Sequence, residues 1–526
     1  MHLALLTLYS FAMPAFRSPD EPNHIDVVRL LAHGDAYPAF DGRQTDPQVL
    51  AARDDMTFAR KSRNLARGSA KPRMLRPSFD DLTPTQAIEL NQLVQHPPLY
   101  YASLAAEFRL ANALLPGEPF RAYDREVGAL RLLSALWLAP LPLIVWRTSK
   151  RFGFSDSTSL VSSLIVLSIP QLQHLGSSVN NDTLFIAVSG CITLAIARIL
   201  RGPPSRNVVA ATGALIGLAL FIKAFAFVYP LWLIAALIIS ARRHGKRFDY
   251  IGGAMACVLA LAAGGWWWIR NLIRYGELAP SVETSNRLQE VPNFDPAWTV
   301  WIKEAILGVG KRFFGNFGWY DVWIPYRVMI LNWIVIAIVV GIALFAPRRP
   351  VVHQLSMSHA SEPATTPNPA ARRNTSRVDA AMMFAPFVLL ALFLGFNAAR
   401  LYARSGVFAL LQGRYLFGSI VGLCVVAGIA CNVVSARAPA ILVIGPVVAL
   451  LGAVAMQVLA FRAILGFYWG EPGSSTVEQL QAMFAWSPWP RSFTIAVVAV
   501  AMAAATWMTI CIARVSRFAG SLQPAK

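Results

Sequence analysis

Apolar residues in this chain fall in long continuous blocks, not in the two- or three-to-four-residue alternation of soluble strands and helices. Twelve blocks stand out, at 1–14, 126–146, 157–174, 182–200, 207–222, 225–241, 250–268, 328–346, 380–399, 415–434, 438–461 and 492–513. Most approach the roughly 20 residues that carry an α-helix across the hydrocarbon core of a bilayer. Backbone polar groups in that core must be satisfied within the segment, which selects helices over open sheets. The pattern therefore predicts an all-α polytopic membrane protein with about 12 transmembrane helices. The first block is short for a span, and Ala12-Met13-Pro14 makes a poor signal-peptide cleavage site. It is read as a first, truncated transmembrane helix whose annotated start is in question.

The polar intervals give the blocks an orientation. One alternate set contains 19 Lys and Arg residues, among them Arg147, Lys150, Arg151, Arg242, Arg243 and Arg437, against the four acids Asp156, Asp249, Glu362 and Asp379. By the positive-inside rule these intervals face the cytoplasm, as do both termini. The resulting layout is a first helix at 1–14, an outer loop at 15–125, helices at 126–268, a second outer loop at 269–327, a helix at 328–346, a cytoplasmic loop at 347–379, helices at 380–513 and a cytoplasmic tail at 514–526. Trp266-Trp267-Trp268, Trp486 and Trp489 sit where interfacial aromatics are expected. Within 15–125, Pro22, the apolar stripe Ile25, Val28 and Leu31, and Gly34 mark a juxtamembrane helix. The stretch from Arg60 to Arg76 is polar and basic, either a solvated loop or a contact for anionic head groups. A helical pattern resumes from Thr83 to Leu115, interrupted at Pro97-Pro98. The Ser, Thr, Pro and Ala content of 350–378 reads as a tether. No internal repeat is strong enough to suggest an inverted-repeat transporter.

Composition sharpens this picture. The 526 residues are 56% hydrophobic and 14% charged, with a formal net charge of +19, whereas soluble domains average about 25% charged residues. A soluble enzyme, a disulfide scaffold and a transcription factor are excluded. The basic excess resides mainly in the cytoplasmic intervals, so it is an orientation signal and implies no nucleic-acid partner. Cys191, Cys257, Cys424, Cys431 and Cys511 all lie in apolar blocks without a CxxC spacing, so neither a disulfide framework nor a metal cluster is suggested.

Candidate chemistry gathers on the outer side. Ser18-Pro19-Asp20-Glu21-Pro22-Asn23-His24 places two carboxylates and a histidine at the membrane surface, where charge is costly unless paired or used. Asp20 and Glu21 are explained either as helix-start charges or as general bases. The same side holds His96-Pro97-Pro98-Leu99-Tyr100-Tyr101, Asn180-Asn181-Asp182, Arg270-Asn271, Gly315-Asn316-Phe317-Gly318-Trp319 and Gln412-Gly413-Arg414-Tyr415, with Lys223 near an outer span end. Each has an ordinary explanation: Asn181 and Asp182 as caps, Arg270 and Arg414 as snorkelling cations, His96 as a packing residue. Taken together they put an acid, histidines, amides and cations on one leaflet. Asp20, Glu21 and His24 could also ligate a divalent cation, although no cage of oxygen ligands is apparent.

This layout resembles the GT-C superfamily of membrane glycosyltransferases, and more narrowly a bacterial family of predicted membrane proteins marked by Pro-Asp-Glu-Pro-x-His after the first span, here Pro19–His24. The resemblance implies transfer of a sugar from a polyprenyl-phosphate donor at the outer face of the bacterial cytoplasmic membrane, within cell-envelope synthesis. It points to Asp20 as catalytic base, with Glu21 second and His24 as an orienting group. His96, Tyr100, Asn181, Asp182, Lys223, Arg270, Asn271, Gln412, Arg414 and Tyr415 would bind substrate, and Lys223, Arg270 and Arg414 are the candidate phosphate ligands. The partners implied are membrane lipids and a glycan, lipid or protein acceptor. Two rival classes, a flippase for a lipid-linked sugar or polymer and a non-catalytic assembly subunit, stay open at this point. The flippase predicts polar residues facing one another at mid-depth in several spans.

Overall fold

The structure, a computed structural model, describes residues 1–521 except 41, 57–75, 116–118, 204, 246, 248, 281–290 and 348–374. Most of the basic stretch from Arg60 and of the tether at 350–378 lies outside the described residues. Among the described residues, nine helical stretches are long and apolar enough to cross a membrane, from Tyr123–Arg151 to Arg491–Ile512. Three shorter apolar helices, His2–Ala12, Asp156–Ser168 and Arg206–Leu220, stand at the expected first, third and fifth blocks. The ends of the latter two have local causes. Pro170 has no amide hydrogen to donate, and the chain leaves helical geometry at Ile169 before resuming as the wholly buried helix Pro170–Gly176. At the other end of Arg206–Leu220 the chain turns at Phe221, and Lys223 is extended before the next helix.

Several elements run past their expected ends, among them Ile441–Trp469 and Tyr123–Arg151. The helix from Tyr250 continues through a wide turn at Leu261–Gly265 into Trp266–Tyr275, so Arg270 and Asn271 ride on a helix and not in a loop. The helix after the tether spans Arg377–Ser405 and starts in a reciprocal cap between Ser376 and Asp379. Asp379 also binds Arg201 at 3.3 Å and Arg243 at 2.6 Å. At the same end of the bundle Asp249 pairs with Arg206 and Asp156 with Lys150. Three acids of the basic intervals are thus structural partners for neighbouring arginine and lysine. Leu331, Ile338, Phe345, Val500, Met502 and Trp507 lie exposed on the outermost helices, as lipid-facing side chains do.

The 15–125 segment folds back over the opposite end of the bundle. Its helix Glu21–Ala32 turns Ile25 and Val28 inward, and the chain leaves it at Gly34 with positive φ, as the apolar stripe predicts. Buried Asp26 ties this helix to Arg43 at 2.7 Å, to the Asp46 amide and to Asn91 Nδ2. Arg29 binds both oxygens of Glu126 at 2.6 and 2.7 Å. The helical pattern expected from Thr83 is realised as a short turn at Gln92–Gln95 and the helix Leu99–Leu114. Residues before it pair instead with the Gln44 segment through the Gln44–Leu90 bridge. In the 269–327 segment, helix Trp298–Phe314 is followed by a two-stranded antiparallel hairpin, with Asn316 opposite Trp323 and Phe317 opposite Val322. Trp486, expected at an interface, is buried against Trp469 at 5.2 Å.

A close helix approach lies between Arg206–Leu220 and Tyr250–Ala260, where Gly213 lets the backbone of Ala256 come into contact. Small residues permit such approaches between membrane helices. Gly213→Val should lower the detergent melting temperature by several degrees or prevent folding, whereas Gly341→Ala, with open space around its Cα, should not change it. Equal melting temperatures would show that this contact is not structurally limiting.

Candidate functional site

The site grows from a buried ion pair. Arg131, near the start of the Tyr123–Arg151 span, binds Glu21 through Nε at 2.7 Å and Nη2 at 2.6 Å. Its other donors take the carbonyls of Ser10, Met13 and Pro14, the last turn of the first helix and the chain leaving it. Glu21 in turn accepts the amides of Phe16 at 2.9 Å and Val179 at 3.2 Å. Both of its oxygens are therefore committed, and its side chain is 0% exposed. Neither acid caps the helix they open: no amide of the Glu21–Ala32 helix is held by the Asp20 side chain.

Asp20 is the opposite case. It sits in the left-handed region at φ 62°, ψ 4°, which aspartate and asparagine adopt more readily than other non-glycine residues. Its side chain is 22% exposed and accepts one hydrogen bond, from Arg414 Nη2 at 3.0 Å. Its second oxygen has no partner among the described residues. Four of the five described non-glycine residues with positive φ, namely Phe16, Asp20, Tyr320 and Leu410, belong to the segments that meet here. Local backbone strain of this kind concentrates at functional sites.

Around the Asp20–Arg414 pair the structure gathers residues from five distant stretches. Lys223 Nζ binds Asp182 at 2.5 Å and lies 4.9 Å from the centre of the Tyr415 ring, with the Arg414 guanidinium 5.3 Å from the same ring. Asp20, Asp182, Lys223 and Arg414 lie within electrostatic reach of one another. His24 is buried, 3.1 Å from the Tyr101 hydroxyl and stacked on its ring at 5.8 Å. His96 is partly exposed and follows a short helical turn, and its carbonyl accepts from Tyr37 at 2.7 Å. Tyr320, at φ 68°, donates to Gln412 at 2.6 Å and so joins the hairpin to the strap that carries Arg414. Arg414 Nε and Asn181 Nδ2 are buried donors without a partner. Asn181 holds no helix amide; Asn180 does so instead, through Thr183.

Two further expected site residues have other partners as well. Tyr100 contacts Ser134 at 3.2 Å and meets the His24 ring edge-on at 6.2 Å, while Tyr101, one residue further round the helix, places its hydroxyl on His24. Arg270 lies over Trp267 at 4.5 Å and hydrogen-bonds Asn271 at 3.0 Å, with no contact to Asp20. Arg131 and Tyr320 lie outside every motif the sequence offers, and Tyr101 stands in the His96–Tyr101 motif without a role assigned to it. For Arg131 a signal existed, since an arginine several residues inside an apolar block demands a partner. No group of three or more His, Cys, Asp or Glu side chains converges as a metal cage among the described residues.

Beside the charged cluster runs an apolar cavity of about 640 Å³ between helices Trp298–Phe314, Tyr326–Phe345 and Arg377–Ser405. Trp301, Ile306, Met329, Trp333 and Leu394 line it, and Leu411 and Gln412 form its boundary toward Arg414. A lipid tail fits such a lining, and an anionic head group fits the cations next to it.

A family model described as "Predicted membrane protein (DUF2142)" matches residues 3–357. No curated protein sequence matches the chain. Among solved structures, ArnT from Cupriavidus metallidurans bound to undecaprenyl phosphate is similar over 92% of this chain and 74% of its own, with 14% identity and a TM-score of 0.45. The oligosaccharyltransferase of Archaeoglobus fulgidus in its apo form is similar over 93% of this chain and 60% of its own, with 11% identity and a TM-score of 0.39.

Two outcomes follow for stability. Removing one partner of a buried pair strands the other charge, at a cost of about 3–5 kcal/mol, so Glu21→Gln and Arg131→Met should each sharply lower the detergent melting temperature. Wild-type melting temperatures would overturn the structural role of the pair. Burial, aided by His96, Lys223 and Arg414, pushes the His24 imidazole well below its ordinary 6.5. The unfolded chain then binds the proton that the folded protein refuses, so stability is full above pH 6.5 and falls as pH drops below it. Melting temperature should decline from pH 7.5 to 5, and His24→Gln should lessen that decline. An identical decline in the variant would exclude His24 as its source.

Proposed function

The chain belongs to the DUF2142 family of predicted membrane proteins, and from that premise we propose that it transfers a sugar from a polyprenyl-phosphate donor to an acceptor hydroxyl at the outer face of the bacterial cytoplasmic membrane. The observation that carries this reading is the pairing of Asp20, with one oxygen uncommitted, to Arg414 directly beside an apolar cavity. A polyprenyl tail would occupy the cavity, and its phosphate would meet Arg414, whose planar fork of donors suits phosphate oxygens. The motif resemblance described above supports the same class.

Asp20 accepts the proton of the acceptor hydroxyl. The acceptor oxygen forms its bond to the anomeric carbon from the face opposite the phosphate. The bond between that carbon and the phosphate oxygen breaks, its electron pair leaves with polyprenyl phosphate, and the anomeric configuration inverts. Arg414 and Asn181 offer the buried, unpartnered donors for the charge that grows on the leaving phosphate, and Lys223 adds fixed positive charge close by. Such preorganised donors are most effective where water is excluded. His24, held neutral by burial, shapes the wall and adds no charge. Glu21 is a positioning residue that acts through Arg131.

The test is transfer by purified protein supplied with a panel of polyprenyl-phosphate sugars, read as release of polyprenyl phosphate. Asp20→Asn, which tolerates the left-handed backbone, should retain its melting temperature and lose about 10²-fold or more of the rate. Arg414→Met should weaken retention of farnesyl phosphate. Full transfer by Asp20→Asn would rule out the base assignment.

A further inference from the structure

The helix Trp266–Tyr275 turns a second polar-aromatic cluster toward the site, and the donor phosphate chemistry leaves it unused. Trp267 is 8% exposed, yet its indole N–H has no partner. The neighbouring Trp268, by contrast, donates to the Leu220 carbonyl at 2.9 Å. A buried indole N–H ordinarily finds an acceptor. The Tyr275 hydroxyl is likewise buried and unpartnered, with Phe40 edge-on to its ring at 4.8 Å. Arg270 lies over both rings, 4.5 Å from the centre of Trp267 and 5.9 Å from that of Tyr275. Its hydrogen bond goes to the neutral Asn271. Arg29, Arg43, Arg53, Arg76, Arg131 and Arg414 each hold a carboxylate; Arg270 holds none among the described residues. Tyr37 connects this cluster to the catalytic wall, 5.9 Å from Trp267 and 6.3 Å from Tyr101, with its hydroxyl on the His96 carbonyl.

We propose that Tyr37, Phe40, Trp267, Arg270 and Tyr275 form the acceptor subsite, and that it takes a saccharide ring carrying an anionic group. Aromatic faces pack against the C–H faces of a sugar ring. The indole N–H and the tyrosine hydroxyl meet its hydroxyls, and the guanidinium fork takes a carboxylate or phosphate in paired hydrogen bonds. The place of the cluster fits an acceptor. The apolar cavity for the donor tail lies among the Trp298, Tyr326 and Arg377 helices, whereas this cluster adjoins the His24 and His96 wall of Asp20. The acceptor role rests on the transferase reading; the binding chemistry does not.

The experiment measures binding to full-length protein in lipid nanodiscs by saturation-transfer NMR, with glucuronate, glucose 6-phosphate and glucose as probes and farnesyl phosphate as a separate probe of the donor site. Glucuronate or glucose 6-phosphate should bind at least tenfold more tightly than glucose, the stronger of the two identifying the anionic group. Arg270→Gln should abolish that preference and Trp267→Phe should weaken ring binding, both with wild-type melting temperature and unchanged farnesyl phosphate binding. Equal binding of charged and neutral sugars, or an unchanged preference in Arg270→Gln, would overturn the subsite. Charged-sugar binding without any farnesyl phosphate binding would uphold the subsite and count against the transferase reading.

Discussion

Everything at the candidate site depends on the Glu21–Arg131 pair. Burying two charges costs several kcal/mol per ion unless every lone pair and proton is matched, and here the matching is close to complete. Arg131 collects three carbonyls from the end of the first helix. Glu21 collects an amide from the same turn and one from the Val179 loop. One interaction therefore fastens the first helix, the first turn of the juxtamembrane helix, the Tyr123 span and the loop before Asp182. Immediately before Glu21 the chain makes a left-handed turn at Asp20, whose carboxylate stays 22% exposed.

Two adjacent acids thus receive opposite tasks from their surroundings. Glu21 is saturated with donors and inaccessible, so its charge is spent on structure. Asp20 retains an uncommitted oxygen and faces Arg414, drawn from nearly 400 residues further along the chain. Asp20, Asp182, Lys223 and Arg414 form a compact set of two acids and two bases with balanced formal charge. The hairpin at 316–323 holds that set against the apolar cavity through the Tyr320–Gln412 bond. Polar chemistry and lipid-like space become neighbours because the short strap 410–414 separates them.

Much of this was legible in the sequence, for identifiable reasons. Apolar blocks located the helices because the bilayer imposes a length, and the motifs at Asp20, Asp182 and Arg414 stood out because charge near a bilayer needs a partner or a purpose; the fold brings these three residues together. What the sequence could not resolve was pairing at long range. Nothing local distinguishes Glu21 from Asp20, since the difference lies in Arg131. Tyr100 and Tyr101 are equivalent until the helix phase is known. Arg270 reads like Arg414 until the wide turn at Leu261–Gly265 carries it onto a helix and over Trp267. Pairs such as Tyr9 with Gln457, buried at 2.6 Å, were equally invisible, because each residue alone is unremarkable within its block.

The most direct test of this account is an experimental structure of the full chain with bound polyprenyl phosphate. The account predicts phosphate oxygens within hydrogen-bonding distance of Arg414, the prenyl chain along Trp333 and Leu411, and Glu21 still bound to Arg131. Phosphate seated on Arg270, or a prenyl chain outside that cavity, would contradict it.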